Sequence, residues 1–415
     1  MMRTIKGLVL GLVLTLCISC FSAASHVRRE IRSLSETERL RVFDAMIVMK
    51  KTSTGVGKRQ YGSDFINYDD LVLKHFDASA TKPCDQAHLG AAFLVYHRAF
   101  CLMFENSLVA IDSRIQGLPY WDYNMDSQRG ADPRQSVVWS DTWFGSSSGD
   151  QSQGNAVLDG HFTRNGWRIK QNVAKTHGLS NPFDMLRAPF NNNPSPYVTR
   201  HDKACKTVTK INLKAWELCL KPPNFLTYYA CIDPTIHTMA HSWLGGIWNT
   251  RISLPRPVCF VTYAVGVEKN WKNDCIVCPT NCTSPAEACE CTVSDEFRCR
   301  LDRAILPIPT YGDFADVWTS PNDPIFFFHH ANVDRHFMTW QALKKAEPAN
   351  EFGGYPRASL PCKGHGLDDV IASENPFMSG LLRQNDNAGK EFPLTIFDVL
   401  NATTGANRKQ FYSYV

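Results

Sequence analysis

The run Asn322-Asp323-Pro324-Ile325-Phe326-Phe327-Phe328-His329-His330-Ala331-Asn332-Val333-Asp334-Arg335-His336 constrains the fold more than any other stretch of the chain. The Asp323 carboxylate is suited to accept from the free N–H groups at a helix start. Pro324 suits the first helical position, where no N–H is needed. Bulky apolar residues from Ile325 to Phe328 follow, so the pattern predicts a helix that starts buried. Two adjacent histidines then enter the same interior. An imidazole without a partner there costs roughly a few kcal/mol, so both rings need partners. A lone histidine of this kind is ordinarily a satisfied core residue, but it is not alone here.

His237-Thr238-Met239-Ala240-His241 places two imidazoles at i and i+4, on one face of a helix. That spacing suits metal ligation. The pentapeptide lacks the Glu that follows the first histidine in zinc-protease helices and acts there as general base, which argues against a metalloprotease. Upstream, His88 and His97 are nine residues apart. At about 100° per residue they fall on opposite faces of a regular helix. If both bind one metal, His88 must lie in the lead-in, with the helix starting after Gly90. His75 ends the apolar-patterned segment from Tyr68 to Phe76.

Two blocks, "H…AHLGAAFLVYHR" and "HTMAH…NDPIFFFHHANVDRH", resemble the paired copper motifs of the type 3 copper family: tyrosinases, catechol oxidases and haemocyanins. Pro119-Tyr120-Trp121-Asp122 is similar to a segment that follows the first motif in that family. The resemblance spans about residues 60–345 and is most specific in the second motif. Val138-Trp139-Ser140 and the compact secreted chain look most like molluscan shell or byssal tyrosinases. It implies a mainly α fold, a four-helix-bundle core around a binuclear copper site, with long loops and few short strands. It assigns His75, His88 and His97 to one copper, and His237, His241 and His330 to the other. His329 is then a neighbour, rotated by about 100° on the helix, supporting a ligand or facing substrate. His336 lies on a different face and is not expected to bind metal. Asp334, four residues after His330, can bond polar groups on that face, with Arg98 as its candidate partner.

The remaining sequence bounds this reading. At 415 residues the chain can hold one large domain with extensions, and its net charge of +4 is small. No basic stretch is interleaved with aromatics, as nucleic-acid binding would need. Residues 1–24 read as a signal peptide: a charged lead, an apolar run from Gly7 to Phe21, and a small-residue cleavage site at Ser22-Ala23-Ala24. The run is short for a membrane span, so no membrane association is expected after cleavage. The tyrosinase-type domain is expected over 25–345, with 346–415 as a tail packed on the core. With Cys17 and Cys20 in the leader, thirteen of the fifteen cysteines remain for a secreted chain. Cys275, Cys278, Cys282, Cys289, Cys291 and Cys299 define an insert, 275–299, expected to be knitted by disulfides rather than by zinc. Cys101, on an apolar helix, is the candidate free thiol. Cys84 is expected in an ordinary disulfide, with a thioether to a ligand histidine as the alternative. Ser35 and Glu38 predict a capping box for a helix over 36–50, with Leu40, Phe43 and Ile47 inward. The stretch 126–212, rich in Gly, Ser, Asn and Pro, predicts long surface loops, with His161, His177 and His201 as surface histidines. Asn281 and Asn401 head glycosylation motifs.

The resemblance implies that dioxygen and a phenol, either a small molecule or a protein tyrosine or DOPA side chain, react at the copper pair to give an o-quinone. Enzymes of the family strong on monophenols often carry Asn directly after the first histidine of the second site, held with a Glu to orient a water. Here those positions are Thr238 and Asp233. Oxidation of catechols is therefore the safer expectation. A haemocyanin-like oxygen carrier and an inactive matrix protein are the alternatives.

Overall fold

The computed structural model describes residues 26–80, 85–126, 132–173, 180–202, 213–248, 310–358, 363–371, 394–405 and 411–415, with the short strands 276–277 and 292–293. The expected signal peptide, Cys84, His177, Asn281 and the cysteines of the insert lie outside these residues. The main helices are α1 (Glu36–Lys51), α2 (Thr54–Tyr61), α3 (Tyr68–Ala80), α4 (Ala92–Ile111), α5 (Phe225–Ile232), α6 (Thr238–Gly245), α7 (Phe326–Lys344) and α8 (Ile396–Thr403). Strands are few and short. β1 (His26–Arg28) pairs in parallel with β6 (Tyr412–Tyr414). β2 (Ile247–Trp248) pairs with β5 (Thr310–Tyr311), and β3 (Ile276–Val277) with β4 (Thr292–Val293), both antiparallel. The mainly helical class expected from the sequence is the class observed.

Local signals explain several helix starts. The box at α1 forms as expected: Glu38 N–H donates to Ser35 Oγ at 3.3 Å, and Ser35 N–H to Glu38 Oε2 at 2.8 Å. Phe43 and Ile47 are buried, whereas Leu40 is half-buried. Asn67 caps α3, its Oδ1 accepting from Asp69 N–H at 2.9 Å. α4 starts after Gly90, which leaves His88 in the irregular lead-in.

α7 corrects one expectation. A 3₁₀ turn covers Ser320–Asn322, and the helix begins at Phe326 with Ile325 as cap residue. Asp323 is therefore not the cap and Pro324 is not the first helical residue. The Asp323 carboxylate instead accepts from Nε and Nη2 of buried Arg200, each at 2.7 Å, and from Ile325 N–H at 3.2 Å. A buried two-pronged ion pair fixes this carboxylate more strongly than a neutral cap would.

The loops over 126–212 are irregular, as expected, but much of their length is interior rather than surface. Trp139, Trp143, Phe144, Val157, Phe162 and Trp167 are buried. Arg187 grips Asp313 at 2.8 Å through two nitrogens, as Arg200 grips Asp323. Aromatic anchors at irregular spacing leave no periodic signature, which is why the sequence pattern places them outside. His161 is half-buried against Asp44 at 3.2 Å, and His201 is half-buried beside Trp248.

The core lies between α3, α4, α6 and α7. Phe104 of α4 stacks on Phe327 of α7 with centroids 3.9 Å apart, and Tyr68 of α3 meets the same ring edge-on at 5.8 Å. One buried charge network spans it. Arg28 of β1 donates to Glu105 of α4 at 3.0 and 2.8 Å and to Asp334 of α7 at 3.2 Å. Arg98 of α4 donates to Asp334 at 2.6 Å, the pairing the sequence suggested. Tyr414 of β6 donates to Asp334 at 2.9 Å, and Arg28 lies 3.8 Å from the centre of the Tyr412 ring. Cys101 is buried in α4 and free.

Burial alone would raise the Glu105 carboxyl. The charge of Arg28, with hydrogen bonds from His26 and Arg28, reverses this and holds it at about 2, below its ordinary 4.5. A depressed carboxyl adds stability above its unfolded pKa and loses it as pH falls toward the folded value. Glu105→Gln should cost about 3–5 kcal/mol in urea unfolding at neutral pH, since Arg28 loses a buried partner. The gap from wild type should narrow as pH drops from about 4.5 toward 2. An unchanged urea midpoint at neutral pH would remove Glu105 from this account.

Candidate metal centre

Seven buried imidazoles meet between the four helices. His75 on α3, His88 in the lead-in and His97 on α4 offer nitrogens within 4.8 Å of one another. His237, the residue before α6, together with His241 of α6 and His329 and His330 of α7, forms a second group with the same spacing. The groups abut: the His97 and His330 rings stack at 4.1 Å, 8° from parallel. Phe326 lies against both groups, its centroid 5.2 Å from His75 and 4.2 Å from His330.

The outer nitrogens are fixed by acceptors. His75 Nδ1–H donates to the Trp318 carbonyl at 2.9 Å, His97 Nδ1–H to Phe93 at 2.8 Å and His241 Nδ1–H to Phe314 at 2.6 Å. Carboxylates serve the other two: His88 Nδ1–H faces Asp85 Oδ2 at 3.0 Å, and His237 Nδ1–H faces Asp233 Oδ1 at 3.0 Å. A carbonyl can only accept, so each of these Nδ1 atoms carries the proton and each Nε2 presents a lone pair. Burial pushes the pKa of His75, His97, His237, His241, His329 and His330 below the ordinary value, so the rings are neutral.

The inner nitrogens show what this arrangement requires. His75 Nε2 and His97 Nε2 lie 3.3 Å apart with their lone pairs facing. His237 Nε2, His241 Nε2 and both nitrogens of His330 are buried with no hydrogen-bond partner among the described residues. Converging lone pairs with nothing to receive them are costly unless a cation does. The donor set therefore fits two metal ions. Imidazole alone does not choose between zinc and copper.

The structure also places the other residues singled out in the sequence. His329 is in reach of His237 and His241, 5.5 and 4.9 Å between centroids, and both its nitrogens lack partners among the described residues. The turn between adjacent positions does not carry it away from the group. His336 stands outside: its Nε2–H donates to Trp216 at 2.9 Å and its Nδ1 accepts from Tyr228 at 2.8 Å. Thr238 Oγ1–H donates to Asp233 Oδ1 at 3.3 Å, the oxygen that also holds His237. Burial would raise the Asp233 carboxyl, but the hydrogen bond from His237 brings it net below the ordinary range. The sequence reading missed Asp85, although a carboxylate three residues before a candidate ligand is a visible signal. The carbonyls of Phe93, Phe314 and Trp318 have none, because every residue carries one.

Fold and site together define a helical protein with a buried binuclear metal centre built from imidazole. The family description "Common central domain of tyrosinase" matches residues 66–343, and the chain belongs to the tyrosinase family. Grixazone synthase of Streptomyces griseus subsp. griseus is 26% identical over 338 residues, 76% of this chain and 84% of that protein. The tyrosinase of Streptomyces antibioticus is 24% identical over 59% of this chain and 81% of its own length. Tyrosinase-like protein 1 of Margaritifera margaritifera is 25% identical over 60% of this chain and 45% of its own length. Among solved structures, a mutant polyphenol oxidase from Thermothelomyces thermophila is 18% identical, with TM-score 0.49 over 94% of this chain and 89% of that one. Family membership implies that the two metal ions are copper, one for each histidine group.

His241→Ala should leave one copper per chain instead of two by elemental analysis, with the helical circular dichroism of the wild type retained. Wild-type protein that carries a single zinc would contradict the copper assignment.

Proposed function

We propose that the protein oxidises catechols to o-quinones with dioxygen, and hydroxylates monophenols more slowly. The proposed ligands are His75, His88 and His97 for one copper and His237, His241 and His330 for the other. The observation that carries the reading is the pair of buried imidazole groups in stacking contact, with no carboxylate in either group among the described residues. Copper held by these two histidine groups would supply dioxygen activation and two-electron redox chemistry. Two catechols and one dioxygen then yield two o-quinones and two waters.

The chain's own part is positional. Asp233 and Asp85 hold the protons of His237 and His88 on the outer nitrogens, so the inner lone pairs stay free. Phe93, Phe314 and Trp318 do the same through carbonyls. Phe326 and the surrounding apolar residues exclude water from the pair. His329, a neutral ring at the second group, is the candidate acceptor of a substrate proton.

Substrate preference follows from Asp233. Its Oδ1 is shared by His237 and Thr238, so this carboxylate is already committed to a candidate ligand. Held by its own turn and one methylene shorter than Glu, it is less suited to reach a water that acts as base for a monophenol. Catechols ionise more readily and offer two oxygens to the pair, so they depend less on such help. The expected leader, together with the disulfide Cys219–Cys231, supports a secreted protein, and no described helix is long and apolar enough to cross a membrane. Extracellular phenols, free or as protein tyrosine and DOPA side chains, are the proposed substrates, in cross-linking or pigmentation.

Catechol oxidation should run clearly faster than tyramine hydroxylation in the copper-loaded protein. Thr238→Asn should narrow the gap by about tenfold, because an amide can accept from a water while donating to Asp233. Equal rates on both substrates without a lag would refute the role of position 238. An oxygen carrier or inactive protein would leave catechol unoxidised in air.

A further inference from the structure

His88 is the one proposed ligand of the first group outside a regular helix; it sits in the bent lead-in to α4. Helical backbone aims His75 and His97, but side chains and contacts must aim His88. Three features show how. The Asp85 carboxylate closes a turn over the segment: its Oδ1 accepts Ala87 N–H at 2.8 Å and His88 N–H at 2.7 Å. The same carboxylate holds His88 Nδ1 at 3.0 Å. Leu89 stands at φ 56°, a left-handed conformation that a side chain disfavours and that persists only where its surroundings enforce it.

The enforcing contact comes from far along the chain. His365, fully buried, donates from Nε2 to the Asp85 carbonyl at 2.8 Å. Its Nδ1 accepts Ala92 N–H at 3.2 Å, satisfying a free amide at the start of α4. One imidazole thus bonds both ends of the segment that carries His88. Between those ends the backbone lies flat against the ring: a Cβ at Gly90 would stand 2.4 Å from His365 Nδ1. This explains why Gly is needed there.

We propose that Asp85 and His365 are positioning residues for the first metal site, Asp85 turning the His88 ring and His365 clamping the segment that bears it. The proposal rests on the reading of His88 as a ligand. Loading of that site then depends on a residue of the C-terminal segment, outside the region matched to the family. His365 acts as the neutral ring with its proton on Nε2, because one partner is a carbonyl and the other an N–H.

The test titrates copper alone into metal-free full-length protein, with a cuprous chelator as competitor, and follows hydrogen exchange of the segment 85–92 in the metal-free state. His88→Ala should retain one tight copper; two tight coppers in that variant would overturn the ligand reading and the proposal with it. Asp85→Asn keeps an acceptor oxygen for the two backbone N–H groups but turns an amide N–H toward His88 Nδ1–H. It should weaken one copper about 10–100-fold, the usual effect of losing such a partner, leaving the other copper and the metal-free thermal midpoint unchanged. His365→Ala should weaken the same copper and speed exchange across 85–92. If His88→Ala loses one copper while Asp85→Asn and His365→Ala bind both as tightly as wild type, the positioning role is wrong. Should His365→Ala fail to fold, Asp85→Asn decides alone.

Discussion

Asp334 lies four residues after His330 on α7 and bonds Arg98, the residue after His97 on α4. The two imidazoles that stack where the metal groups meet are therefore tied from behind by one buried ion pair. Arg28 extends the pair to Glu105, about two turns further along the same face of α4, and Tyr414 closes it from the C-terminal strand. Removing these charges from water is costly, and their attraction compensates only in good geometry. Such a network tolerates little sliding between helices. It sets the register of α4 against α7, and with it the 4.1 Å contact between His97 and His330. The parallel pairing of β1 with β6 follows from the same centre, because Arg28 and Tyr414 occupy those strands.

With the helices in register, the rings still need fixed rotation about their own bonds. Outer acceptors supply it one ring at a time: three carbonyls and two carboxylates for five of the seven imidazoles. Each acceptor selects the tautomer that turns a lone pair inward. His329 and His330 have no such acceptor among the described residues. Their rotation is set by packing, His330 between His97 and Phe326, and His329 among Tyr123, His241 and Phe314.

What the sequence disclosed, and what it did not, divides along physical lines. The His237/His241 and His329/His330 spacings were legible because helical periodicity converts sequence distance into a shared face. The irregular position of His88 was legible for the converse reason, since nine residues to His97 do not fit one face. The cap at Ser35 needed only three residues of context. Asp323 misled because its local environment suggests a cap, while its partner Arg200 is more than a hundred positions away. The interior loops over 126–212 were missed likewise: Trp139, Phe144 and Trp167 pack by tertiary contact, at spacings that carry no period. His365 was invisible too, as a lone histidine in a Gly- and Pro-rich stretch.

Asp233 shows how a small change of side chain alters a site's emphasis. The π-helical turn Asp233–His237 includes Pro234, which has no N–H to give, and Thr238 N–H reaches back to the Asp233 carbonyl. This turn sets the Asp233 carboxylate beside both His237 and Thr238, at 3.0 and 3.3 Å. One oxygen of this short carboxylate is bonded by neighbours on its own turn. One more methylene would carry the charge past them and leave His237 Nδ1 to find another acceptor. Orienting a ligand and holding a water for substrate thus compete for one carboxylate. In the proposed reading, the length of residue 233 and the hydroxyl at 238 favour the orienting role, and ready proton loss is left to the substrate's own acidity.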